Sequence, residues 1–373
     1  MSSAEDYQYM ARAIRLARKG LYTCQPNPRV GCVLVKDGTI VGEGYHYRAG
    51  EPHAEREALA VAGERAQGAT AYVSLEPCCH QGRTPPCTDG LVEAGVSRVV
   101  AAMTDPNPLV AGKGLERLEL AGIRVESGLL ETEAQRLNPG FVKRMRTGLP
   151  YVRCKMAMSL DGRTAMASGE AKWITSDAAR RDVHRLRARS SAIITGVDTV
   201  IADDPSLNIR LNISDLEAVR TEADLLQPLR VVLDSKLRMP PQSAMLDLPG
   251  STLVVCASGN AEAGAVLQQR GAKVVTMQDD QGRVDLLALL EYLASQEVNE
   301  VLLETGPTLA GSALQQGLVD ELVIYMAPHL MGHEGNGLFS LPGLEKMQDR
   351  IGLEILDVRP VGEDWRITAA VSG

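Results

Sequence analysis

The sequence predicts an α/β protein of two domains. Three observations carry that reading. The chain has 373 residues, and domains of ~100 to 200 residues are the common size. Apolar β-branched runs alternate with helical patterns, as in a sheet covered by helices. The alternation restarts after "KRMRTGLP", which places the boundary at Thr147 to Pro150 and gives domains of 1–148 and 149–373.

In the first domain the strands are "VGCVLV", "ATAYVSL" and "SRVVAAM", with helices expected over 5–19, 53–66, 87–95, 111–121 and 131–146. In the second, "YVRCKMAMSLDGRTA" opens a series continued by "SAIITG", "LRVVLD", "STLVVCA", "EVLLET" and "DELVIYMAP". Residues 212–228 are polar and weakly periodic, which marks them as an excursion. The sequence shows no internal repeat.

Composition narrows the partner. Residues 1–148 hold 18 of the 39 Lys/Arg and 17 of the 47 Asp/Glu, so the first domain is near neutral and the second acidic. A protein that neutralises many nucleic-acid phosphates needs the opposite balance, and 3% aromatic content offers few stacking platforms. A small-molecule substrate is expected, with no nucleic acid and no membrane partner. The start mixes charges with apolar residues at helical spacing, unlike a signal peptide, and no apolar run is long enough to span a bilayer. Seven cysteines at scattered positions imply a reducing, cytoplasmic setting. Cys24, Cys32, Cys154 and Cys256 lie in apolar or strand-like contexts and read as core.

"GEPHAEREALAVAG" places Pro52 at the expected first position of a helix, with His53 and Glu55 in its first turn. Downstream, "LEPCCHQGRTPPC" puts Cys78 after a strand and Cys87 at a second helix start. Free N–H groups at helix starts stabilise thiolates there. One His and two Cys leave a tetrahedral zinc ion one open position, the mark of a catalytic site. Zinc lowers the pKa of bound water to ~7, and Glu55 is placed to carry a proton from it to a leaving nitrogen. H-x-E followed by P-C-x-x-C marks zinc deaminases of nucleobases. Here "HAE" and "PC" match, while the second cysteine stands nine positions on. The rival is a closed structural zinc site with Cys79 or His80 as fourth ligand, which leaves Glu55 with nothing to do.

"EVLLETGPTLAGSALQQG" reads as a buried strand, a glycine turn and a helix opening near Thr308, an arrangement that suits phosphate binding or serves only as a turn. It is neither a Walker loop nor G-x-G-x-x-G. "RRDVHRLRARS" spaces Arg180, Arg181, His184 and Arg187 near helical periodicity. Most of these form a solvated face, with one or two turned inward to grip a phosphate.

Taken with "QPNPRVGCVLVKDG", "DPNPLVAGKG", "KMAMSLDGRTA", "WITS" and "ADDPSLNIR", these stretches resemble, over nearly the whole chain, the bifunctional deaminase/reductase family of riboflavin biosynthesis. The resemblance implies a cytidine-deaminase-like α/β/α layer domain followed by a dihydrofolate-reductase-like α/β domain. It implies zinc on His53, Cys78 and Cys87, with Glu55 as proton shuttle and Asn27 as a substrate contact. For the second domain it implies NADPH contacts at Ala157, Trp173, Thr199, Asp203, Ser235, Gly306, Pro307, Thr308, Leu309, Ala310, Gly311 and Ser312. Substrate contacts are implied at Lys155, Ala171, Arg187, Leu207, Arg210 and Glu304.

The expected reaction pair is deamination at C2 of 2,5-diamino-6-(5-phosphoribosylamino)pyrimidin-4-one, then NADPH-dependent reduction of the ribosyl group to ribityl, in a homo-oligomer. Residues 79–86, with Gly82, Arg83, Thr84 and two prolines, are expected to wall the deaminase site against a nucleic-acid strand. An RNA-editing deaminase would need a basic groove, for which the near-neutral first domain gives no support. A zinc-stapled regulator would need a closed site.

Overall fold

The computed structural model describes residues 3–81, 84–172 and 174–372. The chain up to Leu149 forms one unit together with Ile213–Leu225, and Pro150–Asn212 forms a second with the chain from Leu226 onward.

The first unit is built on a sheet of β1 (Gly31–Lys36), β2 (Thr39–Tyr45), β3 (Thr70–Val73), β4 (Arg98–Ala101) and β5 (Arg124–Ser127), ordered β2-β1-β3-β4-β5. β1 is antiparallel to both neighbours, and β3, β4 and β5 run parallel. Its helices are α1 (Ala4–Arg18), α2 (Ala54–Ala62), α3 (Cys87–Glu93), α4 (Lys113–Leu120), α5 (Glu131–Leu137) and α6 (Pro139–Thr147). Strand side chains alternate between faces. Cys32 and Leu34 therefore join Ala54, Ala58, Leu91 and Leu118 in one core, while Val33 and Val35 join Met10, Ile14, Ala134 and Phe141 in another. The result is three layers, helix on sheet on helix.

Two glycines set the position of α2. A Cβ at Gly42 would stand 2.2 Å from Ala58 O, and one at Gly44 would stand 2.5 Å from Ala54 O. Without side chains there, α2 lies directly on β2, and its first turn meets the carboxyl end of β2, beside which lie the amino end of β1 and the carboxyl end of β3.

Two helix expectations change. The helix expected over 131–146 is two, because Asn138 (φ −122°, ψ 46°) precedes Pro139 and leaves the helical region. Its side chain is engaged elsewhere: Arg29 N donates to Asn138 Oδ1 at 2.8 Å, and Asn138 Nδ2 donates to Arg29 O at 2.9 Å. The second change is at α2, which starts at Ala54. His53 is extended (φ −74°, ψ 164°) and occupies the N-cap, so Pro52 precedes the helix and only Glu55 lies in its first turn.

The second unit carries a nine-stranded sheet of β6 (Tyr151–Ser159), β8 (Ala192–Gly196), β9 (Leu229–Leu233), β10 (Thr252–Cys256), β11 (Lys273–Thr276), β12 (Glu300–Glu304), β13 (Glu321–Ala327), β15 (Gly352–Val361) and β16 (Asp364–Ser372). The order is β11-β10-β9-β8-β12-β6-β13-β16-β15, parallel except for the β16 and β15 edge. β7 (Arg163–Ala165) pairs separately with β14 (Asn336–Gly337). The helices are α7 (Asp177–Arg189), α8 (Val197–Asp203), α9 (Ala261–Gln269), α10 (Leu286–Ser295) and α11 (Pro307–Gln315). Gly196, Ser235, Glu304 and Gly306 all fall at or just beyond the carboxyl ends of parallel strands, the usual place for ligands in open α/β sheets.

Candidate active sites

In the first unit, α2 delivers His53 at its N-cap, the turn after β3 delivers Cys78, and α3 delivers Cys87 as its first residue. His53 Nδ1 lies 3.5 Å from Cys78 Sγ and 3.4 Å from Cys87 Sγ, and the three donor atoms all fall within 4.8 Å of one another. Cys87 N donates to Cys78 Sγ at 3.4 Å, so α3 contributes a backbone N–H to the cluster as well as a thiol. His53 Nε2 meets Thr84 Oγ1 at 3.2 Å, which fixes the ring with Nδ1 toward the sulfurs, as an outer hydrogen bond does for metal-bound histidines. Two soft sulfurs and one imidazole suit zinc.

The thiols share a proton: the hydrogen bond from Cys87 holds Cys78 down to about 4, while that same bond and burial push Cys87 far up. A cation between them would take the place of that proton. Among the described residues the donor set includes neither Cys79 nor the exposed His80, so this cluster would offer a zinc ion three protein ligands. That favours the catalytic site over the closed structural one. Glu55 is 3% exposed, and burial, with Cys78 adding to it, lifts its carboxyl to about 7. A carboxyl poised there can take and give a proton near neutral pH. Gly82 and Arg83 of the expected wall lie outside the described residues.

Three neighbours have contacts that the sequence did not announce. His46 stands edge-on to His53 with ring centroids 5.1 Å apart. Its Nδ1 lies 3.1 Å from Pro52 O and its Nε2 lies 3.0 Å from Asn27 Nδ2, so the ring donates to the carbonyl and accepts from the amide. Burial lowers its pKa, which keeps that neutral arrangement. Its signal was only its place seven residues before His53. Thr84, expected only as part of the wall, is the second. The third is Glu76, 3% exposed, whose carboxylate accepts from Asp105 N (2.9 Å), Gly112 N (2.9 Å), Gly114 N (2.8 Å) and Leu115 N (3.3 Å). It fastens the start of α4 beneath the Pro77–Cys78 turn. Gly114 completes that seat, since a Cβ there would stand 2.1 Å from Pro77 O.

In the second unit a cavity of about 710 Å³ is lined by Thr199, Ser235, Gly306, Pro307, Thr308, Leu309 and Ser312, all expected cofactor contacts. Lys236, Arg238 and Arg283 also line it. Gly306 caps α11 with no side-chain hydrogen bond, so the first N–H groups of that helix are available to an anion. Ala157, Asp203, Ala310 and Gly311 are not part of that lining. Ala310 is buried, and Gly311 is packed on Ser340 O, where a Cβ would come within 1.9 Å. Trp173 lies outside the described residues.

The expected substrate residues gather only in part. Glu304 and Lys155 are register partners on adjacent parallel strands β12 and β6. Arg187, the arginine of α7 turned inward, donates to Glu304 through Nε at 2.6 Å and Nη2 at 2.9 Å, and to Asn208 O at 3.1 Å. Its fork thus holds a carboxylate. Burial pulls the Lys155 ammonium down against the opposing charge of Glu304, and Arg187 holds Glu304 low despite its burial. Arg210 N donates to His184 Nδ1 at 3.3 Å, while its side chain reaches Ser206. Burial and the charges of Arg187 and Arg210 hold His184 down to about 4. Leu207 is buried with φ 44°, and Ala171 is exposed.

Comparison with known proteins agrees with this division. Residues 3–103 match the cytidine and deoxycytidylate deaminase zinc-binding region, which gives zinc as the metal of the cluster, and residues 150–367 match the RibD C-terminal domain. The chain is 53% identical over 362 residues to riboflavin biosynthesis protein RibD of Escherichia coli K12, covering 96% of this chain and 98% of that protein. It is 48% identical over 374 residues to RibD of Haemophilus influenzae, covering 100% and 99%. Among solved structures, Acinetobacter baumannii RibD superposes with a TM-score of 0.91 at 47% identity over 99% of each chain. A diaminohydroxyphosphoribosylaminopyrimidine deaminase/5-amino-6-(5-phosphoribosylamino)uracil reductase of Thermotoga maritima gives 0.85 at 32% identity, again over 99% of each. With a three-donor zinc site in the first unit, a cofactor-sized cavity in the second and end-to-end similarity of this order, the chain belongs to the RibD family of riboflavin biosynthesis proteins.

Proposed function

We propose that the first unit deaminates 2,5-diamino-6-(5-phosphoribosylamino)pyrimidin-4-one and that the second reduces the ribosyl group of the product to ribityl. The observation that carries the reading is the convergence of His53, Cys78 and Cys87 beside the buried Glu55.

His53, Cys78 and Cys87 would hold zinc, and Thr84 orients the imidazole for it. When bound, zinc supplies a Lewis acid that makes water nucleophilic at neutral pH. Glu55 carries the proton: its carboxylate takes it from the attacking water, and its carboxyl returns it to the exocyclic nitrogen at C2, which leaves as ammonia. Asn27, held by His46, is set to orient the pyrimidine.

In the second unit NADPH is the hydride source. The helix start at Gly306 to Leu309, with Thr199, Ser235 and Ser312 around it, would hold the cofactor's phosphates and sugars, and Lys236, Arg238 and Arg283 add the cations such a ligand needs. Arg187 and Arg210 orient the substrate together with Leu207 and Ala171. Lys155 is the proton donor, a role the sequence alone did not suggest: its ammonium is made more acidic by burial, and Glu304, held as a carboxylate by Arg187, lies beside it in register to accept a hydrogen bond from a substrate hydroxyl. Ring opening at C1′ needs such a donor at the ring oxygen.

The exposed apolar residues of the edge strand β15, Leu353, Ile355, Leu356 and Val358, with Trp365 of β16, support a homo-oligomer formed by this hairpin. No helix among the described residues is long and apolar enough to cross a membrane, which is compatible with the cytoplasmic setting expected from the cysteines.

The test is one assay. Given zinc, NADPH and the diaminopyrimidine phosphate, the pure chain releases ammonia and then oxidises NADPH. Glu55→Gln keeps zinc, keeps NADPH oxidation when the deaminated pyrimidine is supplied directly, and loses ammonia release. Deamination retained by that variant would refute the assignment.

A further inference from the structure

One polar cluster of the first unit has no part in the machinery above. Residues 46–53, between β2 and α2, carry both His46 and His53 and form no regular structure. This stretch is tied down at Tyr47, which is 4% exposed. Thr23 Oγ1 donates to the Tyr47 carbonyl. The Tyr47 hydroxyl donates to Asp224 Oδ2 at 2.7 Å and accepts from Arg220 N at 3.0 Å. The Arg220 guanidinium lies 3.9 Å from the Tyr47 ring centroid. Asp224, itself buried, also accepts from Arg48 Nη1 at 3.0 Å and from Thr221 N and Oγ1 at 2.9 and 2.8 Å.

Asp224 and Arg220 belong to Ile213–Leu225, which is part of the first unit although the chain on both sides of it belongs to the second. In sequence this segment begins three residues after Arg210. Its carboxylate is saturated by donors from the segment and from the 46–53 stretch, so it acts as a rigid peg for Tyr47. Tyr47 is the chain neighbour of His46, whose two ring nitrogens hold Asn27 and the carbonyl of Pro52. A displacement at Tyr47 is therefore passed to the Asn27 amide on one side and toward the His53 cap on the other.

We propose that Asp224 is a positioning residue for deamination, acting through Tyr47 and His46 on Asn27. The deaminase site is then complete only when a segment encoded inside the reductase half is in place. The proposal rests on the deaminase reading above.

The test uses the full chain loaded with zinc. Tyr47→Phe removes one oxygen and leaves the ring under Arg220; Asp224→Ala removes the peg. In each, kcat for ammonia release falls about tenfold, the scale of a sub-ångström misplacement of a substrate contact, with KM held within about twofold. Zinc stoichiometry is unchanged, and so is NADPH oxidation on the deaminated pyrimidine. The double variant is no slower than Asp224→Ala alone, because both changes break the same bond. Should Asp224→Ala fail to fold, Tyr47→Phe carries the test by itself. An unchanged kcat in Tyr47→Phe overturns the proposal, as does a loss of zinc in step with activity, which would make the cluster a support of the metal donors. A wild-type chain that releases no ammonia fails at the underlying reading, and the two failures are thereby distinguished.

Discussion

Glu76→Gln tests whether the metal site depends on a carboxylate that binds no metal. Glu76 accepts four backbone N–H groups, two on each oxygen. Glutamine has nearly the same shape but one acceptor oxygen, so two N–H groups are left facing an NH₂ donor. Each buried donor without a partner costs about 1–3 kcal/mol. One N–H of each pair, Gly112 N and Leu115 N, is only partly buried, which places the expected loss at about 2–4 kcal/mol. The assay is urea unfolding of the zinc-loaded chain, followed by one probe for each unit, since two units need not unfold in one transition. The first unit's transition moves to lower urea and the second's does not. Zinc is released faster to a chelator, because α4 no longer seats the turn that ends in Cys78. A first-unit transition shifted by less than about 0.5 kcal/mol, the range of ordinary surface substitutions, refutes the reasoning.

Other expectations are more direct. Gly114→Ala drives a Cβ to 2.1 Å from Pro77 O, a backbone atom that cannot turn aside, so zinc occupancy and Tm of the first unit both drop. Cys87→Ser lowers zinc content while Cys79→Ser leaves it unchanged, as measured by metal analysis of the purified chain. Arg187→Lys replaces a two-pronged grip on Glu304 with a point charge, and KM for the reductase substrate rises about tenfold. His184 is held down to about 4 from 6.5, so the unfolded chain binds a proton there that the folded chain refuses. That stability is present above pH ~6.5 and is lost as pH falls from there toward 4. His184→Gln flattens the slope in urea titrations of the second unit across that window.

The sequence made the chemistry of the metal site legible before its geometry. Thiols and an imidazole near two helix starts carry their function in their donor atoms, and His53, Cys78 and Cys87 converge accordingly. The local backbone was less legible. Pro52 resembled a first helical residue, yet the extended His53 shifted the start by two positions, and Asn138 broke a helix that periodicity alone ran through to residue 146. The break at Asn138 had a local mark, since a residue before proline leaves the helical region, and the Arg29 main chain then holds its side chain. Contacts between residues distant in the chain were hidden altogether. Nothing near Tyr47 in sequence announces Asp224, 177 residues away, and nothing near Lys155 announces Glu304 until β6 and β12 lie side by side. The cavity-lining turn at Gly306 was visible because glycine and a helix start are local signals, whereas Ala157 and Asp203 had no such mark and do not line the cavity.

The Arg29–Asn138 pair separates the part of this chain that identifies a deaminase from the part that folds as one. The deaminase match ends at residue 103, but both main-chain groups of Arg29, two residues past Asn27, are satisfied by the Asn138 side chain, and its guanidinium reaches the carbonyl of Leu137. A fragment truncated at 103 would remove the Asn138 and Leu137 bonds from those groups and uncover the helical layer that α5 and α6 complete. Dissection of the two activities must therefore keep the chain through α6, well beyond the point where the recognisable pattern stops.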